Sequence, residues 1–232
     1  MVRQLQRTVE YLGCLPVTVL SIDNIEADDT IAYISEQVLP ESEVSIMSSD
    51  KDFIQLVSDR VSVWSPVKKR IYNPENVLED YGIPPHNFLM YRMLDGDKSD
   101  NIPGVNGIGL KTIQKKLSIL LEDEIVSIDK LLKFAKTSDE KIKAIQELGD
   151  NKELLERNYK LMQLREVDIS TSAKSKIRNT IDKPIQTLVK FNFQKMFMED
   201  KMWNGIPNLD SWLLTTFNQL NKYAKISNEK KV

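Results

Sequence analysis

The sequence has few of the residues that build cross-links or soft-metal sites. Among its 232 residues there is one cysteine, Cys14, and one histidine, His86. A single cysteine cannot form an internal disulfide, which favours a reducing compartment, and any bound metal must depend on oxygen ligands. There is no apolar run long enough to cross a bilayer and no signal peptide. We therefore expect a cytoplasmic protein without a membrane partner, in which Cys14 is a small core residue.

The charge of the chain is balanced overall but unevenly distributed. The formal net charge is −2. Residues 21–59 hold ten acids and one base, whereas residues 60–120 hold nine bases and six acids. An acidic region followed by a mildly basic one is consistent with an enzyme whose metal site and basic surface share an anionic substrate.

Seven carboxylates form three tight groups within the first hundred residues. The first group is Glu26, Asp28 and Asp29, the second is Asp50 and Asp52, and the third is Asp97 and Asp100. Grouped acids repel one another and are costly to bury unless a cation neutralises them. Because Mg²⁺ prefers carboxylate oxygens, the groups predict a site for two hard divalent cations.

The hydrophobic pattern predicts alternating strands and helices in the first part of the chain. We expect strands at 17–22, 43–47 and 61–64, a helix at 26–39 and a short helix near 52–57. This order favours right-handed crossovers and a mostly parallel sheet. The first two acidic groups follow the first two strands, so both should lie at the carboxyl edge of the sheet, where ligands bind in such folds.

The rest of the chain is predicted to be mainly helical. Pro66–Ile71 is a basic turn or hairpin, and a helix begins after the cap Asn73 and ends at Gly82. A further helix is expected over Pro85–Leu94, and amphipathic stretches follow from residue 110. The polar segment 170–184 is expected to be a loop or an extended linker, with final helices near 191–198 and 212–223.

Each acidic group also has an ordinary structural interpretation. Acids are common in the first turn of a helix, which suits the first group. Asp50 can simply cap a helix that starts at Asp52, or the two can share one face of an extended segment. Asp97 and Asp100 share a face if their turn is helical, and are otherwise part of a polar turn. A metal site is favoured only when the three acidic groups are considered together.

A glycine-rich segment follows the third acidic group. Gly104, Gly107 and Gly109 allow a tight hairpin between two helices, whose exposed backbone N–H groups can hold a phosphate. Three lysines come directly after it and can contact a nucleic-acid backbone without regard to sequence, namely Lys111, Lys115 and Lys116. The alternative is a plain helix connector. The Gly-Lys-Ser/Thr order of a P-loop is absent.

These motifs together resemble the 5′-nuclease (flap endonuclease) family. The matching strings are Glu26-Ala-Asp-Asp29, Ser48-Ser-Asp-Lys-Asp-Phe53 and Gly96-Asp-Lys-Ser-Asp-Asn-Ile-Pro-Gly-Val-Asn-Gly-Ile-Gly109. The family includes the 5′→3′ exonuclease domain of bacterial DNA polymerase I and phage 5′-exonucleases. Trp64-Ser-Pro66 is similar to the ribonuclease H of T-even-type phages. The likeness is dense over residues 10–120 and loose beyond them.

The resemblance implies a phosphodiester hydrolase with two Mg²⁺ or Mn²⁺ ions, in which Asp50 and Asp52 are catalytic. By motif position, the first ion would be held by Glu26, Asp28 and Asp50, and the second by Asp52, Asp97 and Asp100. The glycine segment would be a helix–hairpin–helix-type element that grips duplex DNA, with a bound K⁺. Expected substrates are flaps, nicked or branched duplexes, and RNA primers in RNA–DNA hybrids, during replication or repair.

The resemblance also implies a departure from the family. Members begin with a further strand, additional metal-binding acids and a helical arch, and Met1 here falls at the helix that follows them. We therefore expect a fragment, the second half of a split gene or a degenerate paralogue. Its partner would be an N-terminal nuclease fragment or replication proteins, in the host cytoplasm if a phage encodes it. The alternative function is an inactive, structure-specific DNA-binding module.

The expected fold class is α/β. Residues 1–84 would form the later part of a PIN-like nuclease core with a mostly parallel sheet, lacking the N-terminal strand and the arch. Residues 85–232 would form a helical region that carries the DNA-binding element, and Asp97 and Asp100 would complete the metal site from there.

Overall fold

The computed structural model describes residues 2–138, 143–149 and 151–229, which form two compact units. The central unit is Glu26–Asp168, and the other unit combines the segment up to Ile25 with the segment from Ile169 onward. The helices are α1 (Val2–Leu12), α2 (Ala27–Tyr33), α3 (Pro74–Tyr81), α4 (Phe88–Asp95), α5 (Leu110–Lys116), α6 (Ile128–Thr137), α7 (Lys143–Leu148), α8 (Lys152–Met162), α9 (Thr171–Ile181), α10 (Lys190–Glu199) and α11 (Leu209–Glu229). Of the residues described, none belongs to a helix with the length and apolar character that a membrane span requires.

The central unit is built on a small mixed sheet. Its strands are β1 (Val44–Met47), β2 (Val61–Ser65) and β3 (Arg70–Tyr72), in that spatial order. β1 and β2 are parallel, and β2 turns back into β3 as an antiparallel hairpin. Alternate side chains of β2 are buried, as expected for a strand covered on one face. The predicted strands at 43–47 and 61–64 and the predicted hairpin at 66–71 are confirmed.

The predicted strand at 17–22 is not formed. These residues have irregular backbone, and their side chains are exposed or half-buried; Val19 is 40% exposed. A β-branched run favours extended backbone, but a strand also needs a neighbour for its N–H and C=O groups. Within the described residues, this segment pairs with no other strand. The sheet of the central unit therefore has one parallel pairing, not the longer parallel series that the pattern predicts.

Helix α3 begins and ends where the sequence predicts. The Asn73 side chain accepts a hydrogen bond from the Asn76 amide at 2.8 Å, and Pro74 occupies the first turn. Gly82 adopts the left-handed conformation with φ 66° and donates its N–H to the Leu78 carbonyl at 2.7 Å. Local capping chemistry therefore sets both ends of this helix.

Helix α4 forms the buried centre of the central unit. It packs against α8 and against a short 3₁₀ helix, Lys51–Leu56. From α8, the fully buried Asn158 donates to the carbonyls of Met93 and Pro103, both at 2.9 Å. These bonds satisfy buried backbone groups at the end of α4 and in the short strand β5 (Ile102–Pro103), which pairs with β4 (Gly96–Asp97). The third acidic group therefore begins on a firmly held backbone.

The second unit is a helical cluster made from both ends of the chain. Its core contains Cys14, Leu15, Phe193, Phe197 and Leu213. At its edge, Arg7 of α1 pairs with Asp200 at 2.8 Å and with Glu199 at 2.9 Å. Cys14 is buried, as predicted for a core residue, and burial raises the pKa of its thiol.

The loop predicted at 170–184 is instead largely helix α9. The Ser170 side chain caps it by accepting from the Ala173 amide at 3.2 Å, and Ala173 and Ile177 bury one face at a spacing of four. The polar composition of this segment predicts a loop, but a helix needs only a narrow apolar stripe to pack. The final helices predicted near 191–198 and 212–223 are confirmed as α10 and α11.

Candidate active-site cleft

The second and third acidic groups border a cavity of about 650 Å³ in the central unit, called the acidic cavity below. One wall is the loop after β1, with Ser49, Asp50 and Lys51. The other wall is the end of α4 and the turn after it, with Arg92 and the segment 95–99. The cavity therefore lies near the carboxyl end of a parallel strand, where ligands of α/β sheets bind.

In the second acidic group, Asp50 both caps a helix and lines the acidic cavity. Asp50 is extended, and its Oδ1 accepts a hydrogen bond from the Asp52 amide at 2.9 Å, which starts the 3₁₀ helix. The capping interpretation is thus confirmed, and Asp50 remains exposed to solvent along the acidic cavity. Asp52 is half-buried, and its carboxylate faces an internal arginine.

Arg92 links the second and third acidic groups. Its Nε donates to Asp52 Oδ1 at 2.6 Å, and its Nη2 forms a short ion pair with Asp97 Oδ2. The Arg92 side chain is 5% exposed, so this cation is almost completely buried. Burial raises the pKa of Asp52, and the charge of Arg92 opposes that rise. The arginine offsets one of the two negative charges and gives both acids a cationic partner.

Sequence reasoning did not identify Arg92. A signal was available: within Phe88-Leu-Met-Tyr-Arg-Met-Leu94, one arginine interrupts an otherwise uncharged and largely apolar helix. A lone charge on a helix that is buried all round usually has a specific partner, because an unpaired buried ion is costly.

Asp97 is held by the turn that follows it. Its Oδ1 accepts from the Ser99 amide at 2.7 Å and from the Ser99 hydroxyl. The Asp100 amide approaches the same oxygen at 3.4 Å. The Ser99 hydroxyl and amide, with Arg92, lower the pKa of Asp97 to about 2. Asp97 belongs to β4 and Asp100 to a turn, so the helical interpretation of this pair is wrong and the polar-turn interpretation is confirmed.

Asp97 gives the protein a predictable dependence on pH. Its folded pKa lies below the unfolded value, so its stabilisation is complete above about pH 4 and is lost as pH falls towards 2. Ser99→Ala removes the largest cause of the shift and should lower the free energy of unfolding at pH 7 by about 1 kcal/mol. Urea unfolding should show this loss shrinking by pH 3. Ser118 is an exposed serine, and Ser118→Ala should cause no such pH-dependent loss. If the two variants lost the same stability at each pH, the Ser99 contact would be excluded as the cause.

The first acidic group lies at the start of α2. Glu26 is its N-cap residue without a side-chain capping bond, and Asp28 accepts from the Asp29 amide at 3.0 Å. The pKa of Asp29 is raised mainly by burial, and further by the negative charges of Asp28 and Glu26. Helix α2 packs against the 3₁₀ helix that carries Asp52. Glu26 and Asp28 do not line the acidic cavity.

The structure therefore brings two of the six predicted metal ligands together around one cation, with a third nearby on the cavity wall. Asp52 and Asp97 both contact Arg92, and Asp50 lies beside them on the cavity wall. Asp100 follows Asp97 closely but does not line the cavity. Across 2–138, 143–149 and 151–229, no three Asp, Glu, His or Cys side chains approach closely enough to form a ready metal cluster.

The glycine segment forms a close connection between α4 and α5. A Cβ on Gly104 would lie 2.3 Å from the Leu94 carbonyl oxygen, so only glycine fits there. The next amide, of Val105, donates to that same oxygen at 2.7 Å. Gly107 has φ 79°, a conformation that favours glycine, and Gly109 is the N-cap residue of α5. The predicted tight hairpin between two helices is thus present.

The three predicted DNA-binding lysines lie on α5. Lys111 and Lys115 are exposed, and Lys116 is half-buried. The opposite face of the helix is anchored by Ile113, which is fully buried, as is the following Leu117. The helix therefore presents basic side chains from a fixed base.

Two family models match adjoining parts of this chain. The model of the N-terminal, resolvase-like domain of 5′-3′ exonucleases matches residues 1–82. The model of their C-terminal domain, a SAM fold, matches residues 83–184. The chain, with its α/β core, its acidic cavity and its glycine hairpin, belongs to the 5′-3′ exonuclease (flap endonuclease) family.

Individual relatives agree with this assignment. The chain is 34% identical over 200 residues to a 5′-3′ exonuclease of Aquifex aeolicus, covering 84% of this chain and 65% of that protein. It is 42% identical over 132 residues to the thermostable DNA polymerase I of Thermus thermophilus, covering 56% of this chain and 15% of the polymerase. The chain thus spans less than two thirds of the length of these curated relatives.

Solved structures of a phage enzyme show the same fold. A mutant T5 5′-exonuclease has a TM-score of 0.55 at 25% identity, covering 77% of this chain and 68% of that one. The flap endonuclease of bacteriophage T5, in a pseudo-enzyme–product complex with DNA and metal ions, has a TM-score of 0.53 at 26% identity, covering 77% and 61%. Another T5 5′-exonuclease structure holds zinc as the divalent metal ion.

Proposed function

We propose that this protein is a metal-dependent 5′→3′ exonuclease or flap endonuclease that hydrolyses phosphodiesters of DNA flaps or RNA primers during replication or repair. The observation that carries the proposal is the placement of Asp50 and Asp97 on one cavity wall, with Asp52 joined to Asp97 through the internal Arg92. A purely structural cluster would not keep an acid exposed on a cavity wall beside two others, because the three charges repel.

The donor set of the cavity suits hard divalent cations. Asp97 keeps its charge down to about pH 2, and Asp50 is exposed, so oxygen ligands are available at neutral pH. We assign Mg²⁺ or Mn²⁺ as two ions, one held by Glu26, Asp28 and Asp50 and one by Asp52, Asp97 and Asp100. When bound, such ions activate water and stabilise charge on a phosphodiester.

The side chains of this protein then have separable tasks. Asp50 and Asp52 are assigned as the catalytic pair. Arg92 fixes Asp52 and Asp97 at a set separation, which limits the rearrangement needed when a cation binds. We assign binding of the duplex backbone, and of a K⁺ ion at the hairpin, to the glycine segment, with contributions from the lysines of α5. The DNA-binding residues in this assignment are Gly104, Gly107, Gly109, Lys111, Lys115 and Lys116.

The functional division of the chain differs from its two compact units. We assign residues 1–84 to the nuclease core and residues 85–232 to the helical DNA-binding region, with Asp97 and Asp100 completing the metal site. The junction of the two matched family models, at residues 82 and 83, supports this division. A separate N-terminal nuclease fragment and replication proteins are the partners that this assignment favours.

A second function is favoured by one specific observation. Arg92 already pairs with Asp52 and Asp97, so each of the two acids has a cationic partner without a metal. A structure-specific DNA-binding module that does not cleave would need no more than this. In that case the glycine segment and the lysines would bind branched DNA alone.

The deciding experiment is cleavage of a labelled 5′-flap duplex, and of a matched substrate with an RNA primer, in Mg²⁺ or in EDTA. The chain is tested alone and with an N-terminal segment supplied from a related nuclease. We expect cleavage in Mg²⁺ and none in EDTA. Cleavage only with the added segment would identify half of a split nuclease. Binding without cleavage in every mixture would establish the DNA-binding module instead.

A further inference from the structure

A second cavity adjoins the acidic cavity. It has a volume of about 230 Å³ and shares Ser49, Asp50 and Lys51 with the larger one. Its lining also includes Lys68, from the turn between β2 and β3, and the aromatic residues Tyr72 and Tyr81. The two cavities therefore share the wall that carries Asp50, so neighbouring groups of one polymer strand can reach both.

Lys68 is held between two tyrosines at the end of this second cavity. Its ammonium nitrogen lies 5.3 Å from the ring centroid of Tyr72 and 5.4 Å from that of Tyr81, on the hydroxyl side of both rings. It also donates to the Tyr72 hydroxyl at 2.8 Å and to the Tyr81 hydroxyl at 3.4 Å. The bond to Tyr72 is the main reason why the pKa of Lys68 is raised, so the side chain keeps its positive charge.

The hydrogen bonds around Lys68 leave two donors for a ligand. An ammonium group has three N–H bonds, and the two tyrosine hydroxyls accept two of them. The Tyr72 hydroxyl gives its own proton to Asp80 at 2.9 Å. Among the described residues, the Tyr81 hydroxyl proton has no acceptor. One ammonium hydrogen and the Tyr81 hydroxyl hydrogen can therefore both be donated to an anion in the cavity.

The charges around the two cavities indicate which anion the second cavity binds. The acidic cavity carries Asp50 and Asp97, which repel a nucleic-acid strand, and Lys68 places a fixed cation at its neighbouring end. We propose that the second cavity binds a phosphate group of the strand whose next phosphodiester lies at Asp50, with Lys68 and Tyr81 as the donors. This assignment rests on the proposed nuclease function and adds a strand-positioning site to it. The group is either a 5′-terminal phosphate or an internal phosphodiester.

The competing explanation is structural. In that case Lys68 only braces the β2–β3 hairpin against α3 through its two rings. Tyr81→Phe separates these explanations, because it keeps the ring and removes the hydroxyl donor. Lys69→Gln is the matched control, since Lys69 is an exposed lysine of the same turn that does not line the cavity.

The test is the fluorescence anisotropy of a labelled flap duplex bound to the full chain in EDTA, so that no cleavage is required. Flaps with a 5′-phosphate and with a 5′-hydroxyl are compared over a series of KCl concentrations. Lys68→Gln should weaken binding about tenfold and lower the slope of log K against log salt by about 1. Tyr81→Phe should weaken binding about threefold, and Lys69→Gln should match the wild type.

The outcomes separate this site from the function on which it rests. A loss confined to the 5′-phosphorylated flap identifies a terminal phosphate, and an equal loss on both flaps identifies an internal one. If Lys68→Gln binds as Lys69→Gln does, the phosphate site is wrong, even if the wild type cleaves flaps. If the wild type binds but never cleaves, the nuclease function fails while the Lys68 effect remains measurable. A wild type that binds no flap overturns the site.

Discussion

Replacing Asp50 with Asn is expected to reduce metal-dependent flap cleavage by about 10²–10³-fold while leaving binding of the flap duplex within about twofold of wild type. Asn keeps the side-chain oxygen that accepts the Asp52 amide, so the 3₁₀ helix retains its cap. What the change removes is one negative charge from the wall of the acidic cavity. The same result is expected for Asp52→Asn, with a larger effect on stability because Arg92 loses a charged partner.

The matched control for Asp50 is Asp59→Asn. Asp59 is an exposed acid of the same unit that does not line the acidic cavity. Initial cleavage rates and anisotropy titrations, measured on the same preparations, distinguish lost chemistry from lost binding. Undiminished cleavage by Asp50→Asn would remove this residue from the catalytic pair, and parallel loss of binding would place it in the substrate-binding surface instead.

Arg92→Met is expected to lower the free energy of unfolding by about 4 kcal/mol at pH 7. Methionine fills much of the same space but leaves Asp52 and Asp97 as largely buried carboxylates without their counter-charge. The loss should shrink at pH 3, because protonation of Asp52 removes one of the two uncompensated charges. Urea unfolding at both pH values measures this loss of stability. The comparison requires the slope of the free energy of unfolding against urea concentration to be the same in both proteins.

Lys152→Met provides the comparison for Arg92. Lys152 also contacts two acids, Asp129 and Glu156, but it is 52% exposed at the surface of α8. Its removal should change stability far less than Arg92→Met does, because solvent-exposed ion pairs contribute little. If Arg92→Met were equally mild, Asp52 and Asp97 would have to be well solvated, and Arg92 could not be the charge that holds them.

Features set by local chemistry were predictable from the sequence. The cap at Asn73, the end at Gly82 and the strand over Val61–Ser65 each depend on residues within a few positions. The glycine hairpin belongs here as well, since the need for glycine at Gly104 and Gly107 shows in the sequence as a cluster. The acidic groups were recognisable because their spacing is compact along the chain.

Features that depend on distant partners were not predictable. The 17–22 segment has the composition of a strand, but pairing decides whether a strand forms. Arg92 reaches Asp52 across 40 residues of sequence, and no local pattern indicates that contact. The position of Lys68 between Tyr72 and Tyr81 likewise requires β3 and α3 to be in place. Tertiary packing, not propensity, determines each of these.

The second unit combines both ends of the chain, which sets an order for folding during synthesis. The core of that unit needs Phe193 and Phe197 beside Cys14, and Arg7 needs Asp200. None of these contacts exists until α10 has left the ribosome, whereas Glu26–Asp168 can complete its own core earlier. Helix α1 is therefore translated well before the contacts that stabilise it can form. Nascent chains that stall before α10 would leave Cys14 and Leu15 without the phenylalanines of their core, and so accessible to chaperones and proteases.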